Sequence, residues 1–402
     1  MRCQRGKNIP GCVMLKDASS TEDVASASAA SADEAGLCFV ADNEKGIVRQ
    51  PSGKSFRYRA ASGGTVKDER TLARIKSLVI PPAWTDVWIC TRADGHIQAT
   101  GRDARGRKQY RYHPDWTRVR DEAKFERLLD FGKALPKVRR TISRHMSERG
   151  LGRRKVLATV AYLLDTTLVR VGNREYARDN KSYGLTTLQD RHVTFSGSEF
   201  RFQFRGKTGK EWKLKLSDRR AARIVRSCQE LPGQHLFQYE DDEGVIRQVS
   251  SADVNDYIRS IAGAEVTAKD FRTWAGTVLA AMALREFEPV EAEAAAKRNV
   301  RRAIEKVAAR LGNTPAICRK CYVHPQVLTA YLDGKLAGLL EKAPDKALKR
   351  ASAALPAEEA ATLLLLHVRT PRKPPAAALT ARASRLEPQR MWRIGLQTRP
   401  IA

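Results

Sequence analysis

The spacing of hydrophobic and polar positions changes twice along the chain. From Leu37 onward, short aliphatic and aromatic runs alternate with polar residues and are broken by Gly, Pro, Asn and Asp. This pattern is typical of β-strands and turns, and one amphipathic helix is predicted among them at residues 68–80. The run VWICTRADGHIQATGRD predicts a hairpin that turns at Asp94-Gly95. Residues 37–115 are therefore predicted to form a small β-rich N-terminal domain.

From residue 116 to residue 344, apolar residues recur mostly at helical spacing. The run RRKVLATVAYLLDTTLVRVG is apolar on nearly all sides and predicts a buried central helix. Residues 192–216 return to alternation and predict a small antiparallel sheet. Further helices are predicted at 115–131, 134–149, 217–230, 250–261, 267–286, 290–311, 315–323 and 326–341. The expected fold class is α+β, with a mostly helical second domain.

Both ends of the chain differ from the middle in composition. Residues 1–36 include the low-complexity run DASSTEDVASASAASADEAG, so we expect a disordered leader there, and Met14 is a second candidate for the start after Met1. Residues 345–402 are rich in Ala, Pro and Arg and are expected to form a basic, disordered tail. Within that tail, ATLLLLHV is predicted to be a short helix.

Charge narrows the class of partner. The chain has 402 residues and carries 73 Lys and Arg against 45 Asp and Glu, a net charge of +28. Such a protein usually binds a polyanion, first of all nucleic acid, although charge also serves solubility. We expect no membrane partner, because no apolar run approaches the ~20 residues of a membrane helix and no signal peptide is present. A cytoplasmic, nucleoid-associated protein is expected.

The stretch LGNTPAICRKCYVHP carries two cysteines, a histidine and a tyrosine. Cys318, Cys321 and His324 resemble half of a zinc site, but no second C-x-x-C supplies the remaining ligands. A redox pair would need a thioredoxin-like context, which is absent. The seven irregularly spaced cysteines indicate reduced thiols that pack in helices, and we expect no metal. Tyr322 alone would be interpreted as an ordinary packing aromatic.

Three cations elsewhere change that interpretation. Arg170 in LVRVGNREY lies where an apolar helix meets a glycine turn, Lys207 in FRGKTGKEW lies on a glycine-flanked hairpin, and Arg272 in AKDFRTWAGT begins an apolar helix. Close backbone approach, helix starts and guanidinium forks all suit phosphate oxygens. Each residue alone is also compatible with a solvated or salt-bridged side chain.

Five motifs, taken in order, resemble the type IB DNA topoisomerases, of the compact poxvirus-like kind found in bacteria. They are ATGRDARGRKQYRYHPDW, LVRVGNREYARDNKSYGLTTL, FRGKTGK, KDFRTWAGT and LGNTPAICRKCY, and the resemblance covers roughly residues 37–340. It implies a tyrosine recombinase/topoisomerase IB-like fold, in which the β-rich domain and the helical catalytic domain form a C-shaped clamp on duplex DNA. It also implies a monomer.

The resemblance assigns roles to individual residues. It implies that Tyr322 is the nucleophile and that Arg170, Lys207 and Arg272 are its catalytic cations. Asn313 occupies the place where viral and eukaryotic members carry His, and Asn can donate a hydrogen bond to phosphate but cannot act as acid or base. DNA contacts are expected from Gln109, Tyr110, Tyr112, Tyr176 and Lys269, although the strand residues also fit plain alternation of exposed and packed side chains.

The implied activity is relaxation of supercoiled DNA through a 3′-phosphotyrosyl intermediate, strand rotation and religation. Lys207 is the expected general acid, because a lysine among other cations gives up its proton more readily. No Walker motif and no acidic metal cluster is evident, so we expect no nucleotide, metal or other cofactor. Binding is expected to follow the phosphate backbone and to be largely sequence-tolerant.

Two alternatives remain open at this point. A tyrosine site-specific recombinase shares the same chemistry, but its usual H-x-x-R motif has Lys269 here, three residues before Arg272. A non-catalytic, basic nucleoid-binding protein would need the charge but not Tyr322.

Overall fold

The computed structural model describes residues 29, 32–53, 55–263, 265–288, 290, 292–341 and 348–368. The chain divides into two compact units, Met1–Leu128 and Leu129–Ala402. The two units combine helices with small antiparallel sheets, as the α+β prediction requires. Most of the predicted leader, residues 1–36, lies outside the described residues. The domain boundaries predicted at residues 36, 115 and 344 stay predictions.

The N-terminal unit is built on a five-stranded antiparallel sheet of order β2-β1-β3-β4-β5. The strands are β1 (Ile47–Ser52), β2 (Ser55–Arg59), β3 (Thr85–Ile89), β4 (Ile97–Arg102) and β5 (Lys108–Tyr112). Helix α1 (Glu69–Ser77) begins where the Asp68 carboxylate accepts from the Thr71 amide at 2.8 Å. Its Ile75 packs with Ile47, Val87, Ile89 and Ala99. The hairpin predicted around Asp94-Gly95 is confirmed as β3 and β4.

One long helix replaces the two that were predicted at 115–131 and 134–149. Helix α2 (Pro114–Met146) continues through Gly132 and Pro136. A continuous buried stripe explains this, because Phe131, Leu135, Val138 and Ile142 recur at helical spacing across the glycine and the proline. Gly132 also has a packing role, since a Cβ there would lie 2.6 Å from the Trp274 ring. The shared buried face therefore outweighs the two residues that usually end helices.

The described part of the second unit is mainly helical. Its helices up to residue 340 are α3 (Arg153–Thr167), α4 (Arg174–Asn180), α5 (Arg219–Gln229), α6 (Ser251–Ala262), α7 (Ala268–Arg285), α8 (Glu293–Leu311), α9 (Pro315–Cys321), α10 (Pro325–Leu332) and α11 (Leu336–Leu340). The single helix predicted at 326–341 is wrong, because the chain turns at Gly334, whose φ is +69°. The central helix is confirmed as α3, which is buried along most of its length.

Two small antiparallel sheets complete this unit. Strands β6 (Val193–Ser196), β7 (Glu199–Arg205) and β8 (Glu211–Ser217) form the sheet predicted at 192–216. Its buried face carries Phe200, Phe202, Phe204 and Trp212. A hairpin that the pattern did not predict joins β9 (Gln238–Glu240) to β10 (Ile246–Gln248). Among the described helices, none combines the length and the apolar composition needed to cross a membrane.

The predicted disordered tail is wrong for residues 348–368. They form α12 (Lys349–Ser352) and α13 (Ala357–His367), and the predicted ATLLLLHV helix lies inside α13 except for its last residue. Leu363 and Leu365 are fully buried. Arg139 in α2 binds Asp165 and Glu359 at 2.7 Å each, which joins α2, α3 and α13. Composition suggested a tail, but the leucine run supplies an apolar face that the unit buries. Residues 369–402 lie outside the described residues.

Replacing Leu363 with Ala is expected to destabilise the second unit by about 2–5 kcal/mol, because it removes a buried side chain and leaves a cavity beside Gly132. Urea unfolding followed by circular dichroism measures this. Arg350→Ala, an exposed change on α12, is the matched control and should shift stability by less than about 0.5 kcal/mol. Equal unfolding midpoints for the two variants would show that α13 is not part of the core.

Candidate active site

Tyr322 lies directly after a short, well-defined helix. Gly312 ends α8 with a φ of +63°, and the Thr314 side chain caps α9 by accepting from the Ile317 amide at 3.4 Å. The Tyr322 amide donates to the Cys318 carbonyl at 2.9 Å, so Tyr322 is the C-cap residue. Helix α9 ends at Cys321, two residues before the predicted end. This ending leaves the half-buried Tyr322 side chain outside the regular turns of the helix.

Helix α7 packs against Tyr322 and fixes the position of its backbone. A Cβ on Gly276 would lie 2.5 Å from the Tyr322 carbonyl oxygen, so only glycine allows this approach. At the next residue, the Thr277 hydroxyl accepts from the His324 amide at 3.1 Å. The Arg272 guanidinium carbon lies 5.1 Å from the centre of the Tyr322 ring. The same helix therefore holds the tyrosine backbone and supplies a cation beside its ring.

Arg272 is a fixed, buried cation with an exposed fraction of 3%. Its guanidinium donates to the Leu311 carbonyl at 2.7 Å and also to the Leu168 carbonyl. Burial lowers its pKa, the neighbouring Arg170 lowers it further, and the Tyr322 phenol acts in the opposite direction. Arginine remains protonated through such a shift. Its buried Nε has no hydrogen-bond partner among the described residues.

Arg170 and Asn313 form a pair beside this cation. The Arg170 Nη2 donates to the Gly312 carbonyl at 3.2 Å and to the Asn313 side-chain oxygen. Burial lowers the pKa of Arg170, while the phenols of Tyr322 and Tyr176 act to raise it. The buried Asn313 Nδ2 has no partner in the described part of the chain. Arg170 therefore uses the Asn313 acceptor and leaves its amide donor available.

Lys207 is held on the hairpin between β7 and β8, in the tight turn Lys207–Gly209. Its Nζ lies 5.7 Å from the centre of the Tyr176 ring, on the first turn of α4. The hairpin is attached to α8, because Lys210 Nζ donates to the Ala309 carbonyl at 2.8 Å. Tyr322, Arg170, Arg272 and Asn313 thus form one cluster, and Lys207 approaches it beside Tyr176.

The two cysteines of this stretch are packing residues. Cys318 is fully buried, and burial raises the pKa of its thiol to about 11. A thiol with so high a pKa is a poor metal ligand and a poor nucleophile at neutral pH. The His324 Nδ1 accepts from the Gln326 amide at 3.1 Å and caps α10. Within the described ranges, no group of three His, Cys, Asp or Glu is placed to hold a metal.

The residues predicted to touch DNA differ in their exposure. In the N-terminal unit, Tyr110 and Tyr112 on edge strand β5 are 42% and 39% exposed, and their rings stack 5.7 Å apart. Gln109 lies on the other face of β5 and donates to Asp103 at 2.9 Å. In the second unit, Tyr176 is half-buried and Lys269 is exposed on the first turn of α7.

Several residues that build the site were not predicted. Gly276 and Thr277 seat the tyrosine, and Lys210 and Trp212 attach the lysine hairpin to α8. The sequence carried one signal for Gly276, since it lies four residues after Arg272 and therefore on the same face of α7. The alternation of β8 placed Trp212 on the buried face but did not identify its contacts.

Two family models match consecutive parts of the chain. Residues 111–345 match the family model described as the catalytic core of eukaryotic DNA topoisomerase I, and residues 55–103 match that of the N-terminal domain of bacterial DNA topoisomerase IB. DNA topoisomerase 1B of Acanthamoeba polyphaga mimivirus is 33% identical over 295 residues, which cover 71% of this chain and 88% of the relative. DNA topoisomerase 1B of vaccinia virus (strain Copenhagen) is 20% identical over 279 residues, 67% of this chain and 84% of the relative. Helices α12 and α13 lie beyond both matched ranges.

Proposed function

The chain belongs to the type IB DNA topoisomerases, and from this membership we propose how its own residues break and rejoin DNA. It is an isomerase that relaxes supercoiled duplex DNA by transient single-strand cleavage and religation. The single observation that carries the residue assignment is the cluster of Arg170, Arg272 and Asn313 at Tyr322.

Tyr322 is the nucleophile in this proposal. Its hydroxyl oxygen attacks the scissile phosphorus and forms a bond to the 3′ side of the nick, while the bond from phosphorus to the 5′-oxygen breaks. The phenolic proton passes to water. The position after the last turn of α9 supports this role, because the ring is reachable and its backbone is fixed by Gly276 and Thr277. A fixed nucleophile loses little entropy on reaching the attack geometry.

Arg170, Arg272 and Asn313 stabilise the charge that develops on the phosphoryl oxygens. A phosphodiester is already an anion, and attack adds negative charge to its two non-bridging oxygens. Donors that are fixed before the reaction are worth more than mobile ones, because they need no reorganisation as the charge develops. Arg272 is held by two carbonyls and Arg170 by Gly312 and Asn313. The Asn313 amide donates to phosphate but transfers no proton.

Lys207 is the general acid. The 5′-oxygen is a poor leaving group unless it receives a proton as the bond breaks, and an ammonium group can supply one. Lys207 then regains a proton when the 5′-hydroxyl attacks the phosphotyrosine during religation. The hairpin position supports this role, because it places the Lys207 ammonium group beside Tyr176, whose phenol acts on the pKa of Arg170. The phosphotyrosyl bond retains the energy of the broken bond, so religation needs no ATP.

DNA binding is shared between the units in this proposal. The net charge of +28 suits the phosphate backbone of duplex DNA, which carries no sequence information by itself. Tyr110 and Tyr112 offer exposed rings and hydroxyls, and Tyr176 and Lys269 offer contacts from the second unit. Gln109 would first have to release Asp103. The C-shaped clamp, action as a monomer, a cytoplasmic location and association with the nucleoid belong to the same proposal.

We expect the purified protein to relax negatively supercoiled plasmid in EDTA without ATP, at a rate within about threefold of that in magnesium, because the proposed chemistry uses only side chains. Agarose gels of timed samples measure this. A strict requirement for added metal or ATP would overturn the proposal. A recombinase that needs its own site would leave the plasmid supercoiled, and a silent DNA binder would retard it on the gel without relaxing it.

A further inference from the structure

One indole ring lies between two segments that each carry a proposed site residue. A Cβ on Gly206 would lie 2.6 Å from Trp212 Nε1, and a Cβ on Gly312 would lie 2.7 Å from Trp212 Cζ2. Both atoms are bonded to Cε2, so the two contacts fall on the same edge of the indole. Gly206 directly precedes Lys207, and Gly312 directly precedes Asn313. One edge of the ring therefore packs against both of the backbone segments from which the Lys207 and Asn313 side chains project.

Trp212 is itself firmly held. It is 6% exposed, and its ring is parallel to that of Phe204 within 5°, with the centroids 6.3 Å apart. Lys210 adds a second attachment of the same turn to α8 through the Ala309 carbonyl. The rigid indole ring of Trp212 thus fixes the distance between the hairpin and the end of α8.

Lys207 needs such a support more than Arg272 does. It lies in an exposed turn with Gly206 before it and Gly209, at a φ of +79°, after it. Glycine turns restrict the backbone weakly, and a general acid must stay within hydrogen-bond reach of its target atom. Arg272, by contrast, is anchored by the carbonyls of Leu168 and Leu311, neither of which belongs to the hairpin.

We propose that Trp212 is the positioning residue for the general acid, setting Lys207 at the leaving oxygen through its simultaneous contact with Gly206 and Gly312. This rests on the proposed function, in which Lys207 protonates the 5′-oxygen. The expected defect on losing the ring is selective: leaving-group protonation is impaired, while attack by Tyr322 and charge stabilisation by Arg272 are retained.

A change of leaving atom tests this selectivity. In the ordinary duplex, the bond from phosphorus to the 5′-oxygen breaks and that oxygen takes a proton from Lys207. In a duplex with sulfur at that bridging position, the phosphorus–sulfur bond breaks and sulfur leaves as a thiolate, which needs no proton because its conjugate acid has a far lower pKa than an alcohol. The cleavage position is first mapped on plasmid DNA, and single-turnover cleavage of both duplexes is then stopped with denaturant.

The full-length variants form a matched set. Trp212→Ala is expected to cleave the oxygen duplex about 100-fold more slowly than the wild type and the sulfur duplex within about threefold of it. Trp212→Phe keeps an aromatic ring at this position and should recover most of the cleavage rate on the oxygen duplex. Gly206→Ala would push a Cβ against the ring from the hairpin backbone, without backbone strain since its φ is −93°, and should show the same selectivity if Trp212→Ala fails to fold. Phe195→Ala, in β6 of the same sheet, should leave the ratio of the two rates unchanged.

Equal slowing of both duplexes by Trp212→Ala and Gly206→Ala, or no slowing of either, would overturn the positioning role. Lys207→Ala separates this failure from that of the proposed function. If Lys207→Ala cleaves the oxygen duplex slowly and the sulfur duplex at nearly the wild-type rate, the assignment of Lys207 as general acid is supported, independently of the result for Trp212. If Lys207→Ala cleaves the oxygen duplex at the wild-type rate, the general-acid assignment fails and this inference fails with it.

Discussion

Tyr322→Phe is expected to abolish plasmid relaxation and to yield no covalent protein–DNA adduct. The substitution removes only the attacking oxygen, and the remaining ring can still pack beside Arg272. Removing a nucleophile from a preorganised site costs several orders of magnitude, so we expect a loss of at least about 10⁴-fold in single-turnover cleavage. The adduct is trapped with denaturant and measured on a denaturing gel.

Tyr331→Phe is the matched control for this loss. Tyr331 lies on α10, away from the arginine cluster, and its hydroxyl accepts a hydrogen bond from the Asn299 side chain at 2.8 Å. The variant should therefore relax DNA within about twofold of the wild type. DNA binding by Tyr322→Phe should be unchanged on a gel shift, because the phosphate contacts remain. An adduct that persists in Tyr322→Phe would show that another side chain is the nucleophile.

The second large effect is expected from Arg272→Lys, which keeps the charge but loses the fork. A single ammonium group cannot bind the Leu168 and Leu311 carbonyls and also face a phosphate. Loss of one preorganised donor typically costs about 10²–10³-fold in rate, and each buried carbonyl left without a partner costs about 1–3 kcal/mol of stability. We therefore expect slower cleavage together with a lower unfolding midpoint.

Two measurements separate these contributions. Single-turnover cleavage at a temperature where the variant is fully folded gives the catalytic loss, and thermal unfolding gives the stability loss. Arg285→Lys, an exposed position near the end of the same helix, should change neither quantity measurably. Wild-type cleavage by Arg272→Lys would mean that Arg272 is a structural residue and not a stabiliser of phosphoryl charge.

The regular parts of the fold were readable from periodicity. The alternation of β7 places Phe200, Phe202 and Phe204 on one buried face, and the apolar run of α3 makes it a central helix. Boundaries that depend on tertiary packing were not readable. Gly132 and Pro136 suggest a break in α2, yet the burial of one long stripe keeps the helix continuous. The average composition of residues 345–402 is that of a basic tail, and it does not reveal the leucines that α13 buries.

The candidate site was predictable by resemblance rather than by spacing. Arg170 and Asn313 are 143 positions apart in sequence, and nothing in local pattern indicates that their side chains share a hydrogen bond. The contacts of Trp212 with two distant glycines are equally invisible, because they arise only when the hairpin reaches the end of α8. The sequence analysis grouped Gln109 with Tyr110 and Tyr112 as DNA contacts, whereas the structure places Gln109 on the other face of β5, where it donates to Asp103.

Helix α13 also has a consequence for the order of events during protein synthesis. The segment that follows Tyr322 is tied to it, since Gln326 donates to the Leu365 carbonyl at 2.7 Å. A nascent chain that ends before residue 357 carries every residue of the proposed site but lacks these contacts and the ion pair of Glu359 with Arg139. Domains fold as units during translation, so we expect the N-terminal unit to fold early and the catalytic unit to complete its fold only after α13 is made. We therefore expect chains that terminate before α13 to stay incompletely folded and to be degraded by proteases. Such chains would not persist as enzymes that cleave DNA without religating it properly.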